Sequence, residues 1–95
     1  MKNIEILESK KIIDYKFAIN YMEEKLLGVK NNTAKELIWF LEHPSIYTSG
    51  RGNPVNQSYI NKIPIYNSGR GGKITWHGPG QRVIYFIIDL KKRGL

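Results

Sequence analysis

The sequence predicts an α+β fold. Its first residues alternate like a strand, and an amphipathic helical stretch follows. Five short apolar segments rich in β-formers then run between residues 37 and 88, punctuated by glycine and proline. The order is β-α-β followed by a strand-rich stretch, in a chain of 95 residues that suits one small domain rather than two.

Each element has a local reason. Asn3-Ile4-Glu5-Ile6-Leu7 alternates polar and apolar, the pattern of a half-buried strand. Over residues 14–28, Tyr15, Ile19, Met22 and Leu26 recur at helical spacing and share one face. Asp14 stands in the N-cap position, and Gly28 is the expected stop. The stripe reads as core rather than as a ligand box. Residues 30–35 form a polar connector. Leu37-Ile38-Trp39-Phe40-Leu41 is a continuous apolar run, too short for a helix, and predicts a strand covered on both faces. Turns at Pro44, Gly50, Gly52 and Pro54 surround a short strand at Ile46-Tyr47-Thr48. Ile63-Pro64-Ile65-Tyr66 is a further strand, whose proline argues for an edge or a strand start. Strands at 73–76 and 83–88 flank the turn Gly78-Pro79-Gly80, and Asp89 is placed to cap a helix beginning at Leu90-Lys91-Lys92-Arg93. Only seven residues follow the apolar strand at 83–88, too few to cover it. Part of its core is therefore expected to be missing or supplied by another chain.

Composition narrows the function classes. No apolar run approaches the roughly 20 residues of a membrane span, and the start lacks the apolar region of a signal peptide. With no cysteine, the chain holds no disulfide, no thiolate zinc site and no cysteine nucleophile. A soluble, cytoplasmic protein is the expectation. The net charge of +7 is uneven: residues 1–42 balance seven lysines against seven acids, whereas residues 43–95 set eight cations against Asp89 alone. That second part also holds eight of the nine glycines and all four prolines. It reads either as loops presenting a positive surface to an acidic partner or as a basic face kept for solubility.

The site-like stretch is Gly69-Arg70-Gly71-Gly72-Lys73-Ile74-Thr75-Trp76-His77-Gly78-Pro79-Gly80-Gln81. Clustered glycines cost folding entropy. They serve either tight turning or close backbone approach to a ligand, with N–H groups turned to an anionic or carbonyl oxygen. Turning alone does not explain why Arg70, Lys73, His77 and Gln81 accompany them, so ligand binding is the stronger reading. A strand through 73–77 puts Lys73, Thr75 and His77 on one face, and Ile74 and Trp76 on the other as an apolar anchor. His77 stays open between a structural and an acid–base role. His43, beside Pro44, reads as structural. Two histidines 34 positions apart without cysteines make a poor metal site, and no metal or cofactor is expected. One Arg70-Gly71-Gly72 triplet lying between strands is weak support for a basic nucleic-acid-binding module, the reading from another class.

Residues 70–81 closely resemble the signature of the octanoyltransferases, also called lipoyl(octanoyl) transferases. Glu42-His43-Pro44-Ser45-Ile46-Tyr47-Thr48-Ser49-Gly50 is similar to an earlier motif of that family, and the spacing and the ending Asp89-Leu90-Lys91 match as well. The match runs from about Tyr15 to the end. Lipoate and biotin protein ligases share the fold but usually lack the His-Gly-Pro-Gly-Gln continuation. Ser45 stands where a second proline is common, and Trp76 where tyrosine is common. Family members are roughly twice as long, the length of an ordinary single domain. The resemblance thus implies that residues 1–95 are the N-terminal half of one biotin/lipoate protein ligase-like catalytic domain, an incomplete mixed sheet packed with helices.

The resemblance also implies a chemistry. An octanoyl group moves from acyl carrier protein to an enzyme cysteine, and then to a lysine of a lipoyl domain of 2-oxoacid dehydrogenases or of glycine-cleavage H protein. In the family a lysine lowers the cysteine's pKa, and both groups lie in the C-terminal half. This chain is then expected to carry part of the acyl-substrate site, Arg70, Gly71, Gly72, Lys73, Ile74, Thr75, Trp76 and His77. Gly78, Gly80, Gln81 and His43 would support it, and no catalytic residue would lie in the chain itself. It would be a fragment of a longer octanoyltransferase, a truncated, inactive product or one half of a split enzyme, with a fragment or truncation favoured over a split because an interrupted core seldom leaves either piece well folded.

Overall fold

A computed structural model describes residues 4–50, 59–67 and 74–94. The elements in chain order are β1 (Ile4–Ile12), α1 (Tyr15–Lys30), β2 (Glu36–Glu42), β3 (Ile46–Ser49), β4 (Tyr59–Ile60), β5 (Ile63–Asn67), β6 (Thr75–His77) and β7 (Val83–Ile87). They form two mixed sheets, a three-stranded one in the order β1-β2-β7 and a four-stranded one in the order β4-β5-β3-β6. The α+β class holds, with one α-helix among the described residues.

In the first sheet β1 runs parallel to β2 through the α1 crossover, and β7 lies antiparallel on the other side of β2. Register places Leu7, Trp39 and Tyr85 in one cross-strand row, and α1 covers their face. Ala18 and Met22 of the helix meet Leu37, Trp39 and Leu41 there, and these five are the core cluster. The opposite face is not covered in the same way: Ile6, Ile84 and Phe86 are exposed, while Ile38 and Phe40 are half-buried. The expectation of a strand buried on both faces is therefore corrected. Only the α1 side of β2 is fully closed.

Strand β1 extends well past Leu7. Its continuation through Ser9, Lys10 and Lys11 lies on a sheet edge, where exposed lysines discourage further pairing and hide the alternation. The register is interrupted between Glu8 and Ile12.

Helix α1 starts as expected, with Asp14 Oδ2 accepting from the Phe17 N–H at 3.0 Å. It does not stop at Gly28. The terminator is Asn32 at φ 60°, with the Thr33 N–H donating to the Gly28 carbonyl at 2.8 Å and the Asn32 N–H to that of Val29 at 3.3 Å. Glycine is the usual residue at such a left-handed ending, and asparagine is the side-chain-bearing residue that takes its place. Gly28 is needed for a different reason: a Cβ there would sit 2.6 Å from Ala34 Cβ, where the connector folds back over the helix. Leu26, expected on the buried stripe, is 39% exposed, and the buried helix residues are Ala18, Met22 and Val29.

No helix follows Asp89 among the described residues. Its Oδ1 does accept from the Lys92 N–H at 3.1 Å, as a cap would, but residues 90–94 continue as turns, with Gly94 at φ 76°. The turn is held by its cations. Lys92 Nζ donates to the Val29 carbonyl at 3.0 Å, at the negative end of α1. Arg93 grips the buried Glu36 carboxylate through Nε and Nη2, and the Asp89 N–H donates to the same group at 2.8 Å. Pairing with Glu36 holds the Arg93 guanidinium above its ordinary value.

Candidate functional site

The site lies where the second sheet meets the end of β2. Strand β3 is its centre, parallel to β5 and antiparallel to β6. Asn67, the last residue of β5, pairs with Ser49, and Thr75, the first of β6, pairs with Thr48. Both flanks of the glycine-rich segment are thus fixed to the C-terminal end of β3. Ser49, fully buried, donates from Oγ to Asn67 Oδ1. The candidates Arg70, Gly71, Gly72 and Lys73 lie outside the described residues, as do Gly69, Gly52 and Pro54. Ile74 and the rest of the stretch through Gln81 are described.

Alternation along β3 and β6 puts Ile46, Thr48, Thr75 and His77 on one face. A row of rings ties that side of the molecule to the helix: Tyr66 to Tyr15 at 4.9 Å, Tyr15 to His43 at 5.3 Å and His43 to Tyr85 at 5.8 Å. Trp76 does not act as the expected apolar anchor. It is 42% exposed and lies over Gly78, where a Cβ would come within 2.2 Å of the indole.

The two histidines differ. His43 is 1% exposed, with Nδ1 2.7 Å from the Ile13 carbonyl and Nε2 2.8 Å from the Tyr85 hydroxyl. A carbonyl only accepts, so Nδ1 carries the proton, and Nε2 accepts from the Tyr85 O–H. Burial pushes the ring below the ordinary imidazole value, and this outweighs the Ile13 bond that favours the charged form. His43 is a satisfied structural histidine. His77 is half-buried: its Nδ1 lies 2.8 Å from Gln81 Oε1, but its Nε2 is 3.4 Å from Thr48 Oγ1. One side of the ring is fixed and the other is only loosely held.

Gly78-Pro79-Gly80-Gln81 is a turn closed by the Gln81 N–H donating to the Gly78 carbonyl at 3.0 Å. Gly80 has φ 89°, the value a type II turn requires at its third position, with proline before it. The Gly80 N–H, not used by the turn itself, donates to Glu42 Oε1 at 2.8 Å. In the sequence Glu42 stands within a motif without a role of its own, Tyr15 reads only as part of the helix's core face, and Tyr85 only as part of a strand. A carboxylate next to a histidine at a strand end was the available signal for Glu42. Nothing local marked the ring contacts of either tyrosine.

The two sequence motifs therefore meet in space, through Glu42 with Gly80 and through Thr48 with His77. Over residues 14–95 the chain matches the lipoyl protein ligase A/B catalytic domain. It is 46% identical over 90 residues to an octanoyltransferase of Wolbachia sp. subsp. Brugia malayi, covering 95% of this chain and 44% of that protein. To an octanoyltransferase of Wolbachia pipientis wMel it is 49% identical over 89 residues, covering 94% of this chain and 43% of the relative. To one of Paramagnetospirillum magneticum it is 47% identical over 83 residues, covering 86% and 39%. The chain spans less than half the length of these curated relatives. Motifs, their meeting point and overall likeness agree: the chain belongs to the lipoyl protein ligase A/B catalytic-domain family, on its octanoyltransferase side.

Proposed function

We propose that the protein carrying this chain is a cytoplasmic octanoyltransferase of lipoate biosynthesis, and that residues 1–95 are part of its catalytic domain and of its acyl-substrate site. The observation that carries this reading is the joining of residues 42–49 to residues 75–81 at the end of β3, beside the flanks of the glycine-rich segment. Among the described residues no helix is long and apolar enough to cross a membrane.

In the proposed reaction a thiolate attacks the carbonyl of octanoyl-acyl carrier protein and expels the carrier's thiol. A lysine amine of a lipoyl domain, or of glycine-cleavage H protein, then attacks the new thioester, forms the amide and releases the thiolate. The chain has no cysteine, so the thiolate comes from outside these 95 residues. The part assigned to this chain is to bind and orient. Gly71 and Gly72 let backbone N–H groups approach the acyl carbonyl, Thr75 and His77 line the polar face, and Arg70 and Lys73 contribute to a positive surface that steers acidic carrier and acceptor domains. The exposed Ile6, Ile84 and Phe86 would be covered by the remainder of the domain.

The test is transfer by the full product of the native gene. Incubated with octanoyl-acyl carrier protein and a lipoyl domain, it should raise the acceptor's mass by one octanoyl group, whereas the 95-residue chain alone should not. No transfer by the full product removes the reading. Turnover by the cysteine-free chain alone removes the thiolate mechanism.

A further inference from the structure

We infer that Glu42 is a positioning residue that fixes the tautomer of His77 through the turn at 78–81. Glu42 ends β2 in the first sheet, and Gly80 belongs to the loop leaving β6 of the second, 38 positions away. Their 2.8 Å bond joins the two sheets at the loop that follows His77.

In a type II turn the third residue's N–H points away from the ring that the turn closes, so its partner is solvent or an acceptor outside the turn. The Glu42 carboxylate is that acceptor, and a bond from an N–H to an ionised oxygen is stronger than one to a neutral oxygen. Gly80 is glycine for its φ of 89°, since nothing lies within 4 Å of where its Cβ would be. The turn is thus shaped by Pro79 and Gly80, and its placement against β2 by Glu42.

Its next residue, Gln81, presents Oε1 to His77 Nδ1 at 2.8 Å. An amide oxygen only accepts, so Nδ1 keeps the proton, and Nε2 is left with a lone pair. The Thr48 hydroxyl, 3.4 Å away, engages that lone pair weakly. Glu42 therefore holds His77 with Nε2 as an acceptor for an N–H or O–H donor of a substrate. It does so from a carboxylate that need not touch the substrate. The link to octanoyl transfer rests on the function proposed above, whereas the tautomer itself can be read without any transfer.

The experiment uses the full native gene product with 15N-labelled histidine at about pH 8, where an ordinary imidazole is neutral. His77 is expected to show a protonated-type signal at Nδ1 and an unprotonated-type signal at Nε2. Glu42→Ala should shift the Gly80 amide and bring His77 to a mixture of tautomers, as Gln81→Ala does directly. Glu42→Gln, whose amide oxygen still accepts from Gly80, should restore the wild-type pattern. His43, with its own fixed tautomer, is the internal control for the fold.

Unchanged His77 signals in Glu42→Ala overturn the inference. So does a change in His43 and His77 together, which would make Glu42 a fold residue. Octanoyl transfer should fall roughly tenfold to a hundredfold in Glu42→Ala, the cost of a slightly misplaced group, and recover in Glu42→Gln. A tautomer change in a protein that transfers nothing keeps the positioning role and removes the proposed function instead.

Discussion

In the three-stranded layer, α1 closes over Leu37, Trp39 and Leu41, and buried Glu36 is bonded to Arg93 and to the Asp89 backbone. In the four-stranded sheet only Ile46 and Ser49 are buried among the strand residues, and its strands run two to five residues. The first layer coheres by apolar contact, the second by hydrogen bonds at strand ends and by turn geometry. The histidines repeat the contrast at the scale of one side chain. His43, in the first layer, has both nitrogens in bonds under 3 Å, and His77, in the second, has one. Damage to the first layer should therefore register as lost stability, and damage to the second as altered site geometry.

The largest expected effect tests that division directly. Leu37→Ala removes a side chain of 0% exposure and should cost about 2–5 kcal/mol in urea unfolding. A loss below about 1 kcal/mol would show that the helix–sheet contact is not what holds the layer.

Replacing His43 comes next. His43→Ala leaves the Ile13 carbonyl and the Tyr85 hydroxyl without this buried partner, a loss of about 1–3 kcal/mol. The sign of its pH dependence follows from the lowered value. Folded His43 refuses a proton that the unfolded chain accepts near pH 6.5, so stability is fully present above about pH 6.5 and declines as the pH falls toward the folded value. His43→Gln should remove that part of the decline in unfolding midpoints measured across pH 5–8.

Gly80→Ala moves the test to the second sheet. It meets no neighbour, but it forces a side chain to φ 89°, at about 1–2 kcal/mol. The informative readout is the His77 nitrogen signal, which should change while that of His43 does not.

The smallest effect comes from Lys62. With Asn61 it forms the two-residue turn between β4 and β5, at φ 48° and 67°. That geometry favours asparagine followed by glycine, so Lys62→Gly should be neutral or stabilising by up to about 1 kcal/mol in thermal unfolding. A loss of stability would mean that the turn owes its shape to contacts of the lysine side chain.

Much of this frame was legible in the residues. The helical spacing from Tyr15, the Asp14 cap, the apolar run of β2 and the Gly78-Pro79-Gly80 turn all lie where local pattern placed them. The errors share a cause. Gly28 as a helix stop, Leu26 as core, Trp76 as an anchor and a helix after Asp89 were each inferred from the residue's own character. The structure decides each otherwise: Asn32 ends the helix while Ala34 packs on Gly28, the sheet lies against Ala18, the indole lies over Gly78, and Glu36 and the α1 terminus take Arg93 and Lys92.

By itself the sequence determined the α+β class, the two motifs and the absence of a cysteine nucleophile, because periodicity, turn chemistry and composition are local properties. Only the tertiary structure decided which histidine is buried and which is held open. The partners that settle it, Ile13 and Tyr85 for His43, and Thr48 for His77, lie 29 to 42 positions away. The Glu42 carboxylate that fixes the turn beyond His77 is 38 positions from Gly80. The His43 tautomer follows from atoms that distant strands bring to its ring, whereas that of His77 follows from Gln81, four positions on, in a turn that the distant Glu42 places.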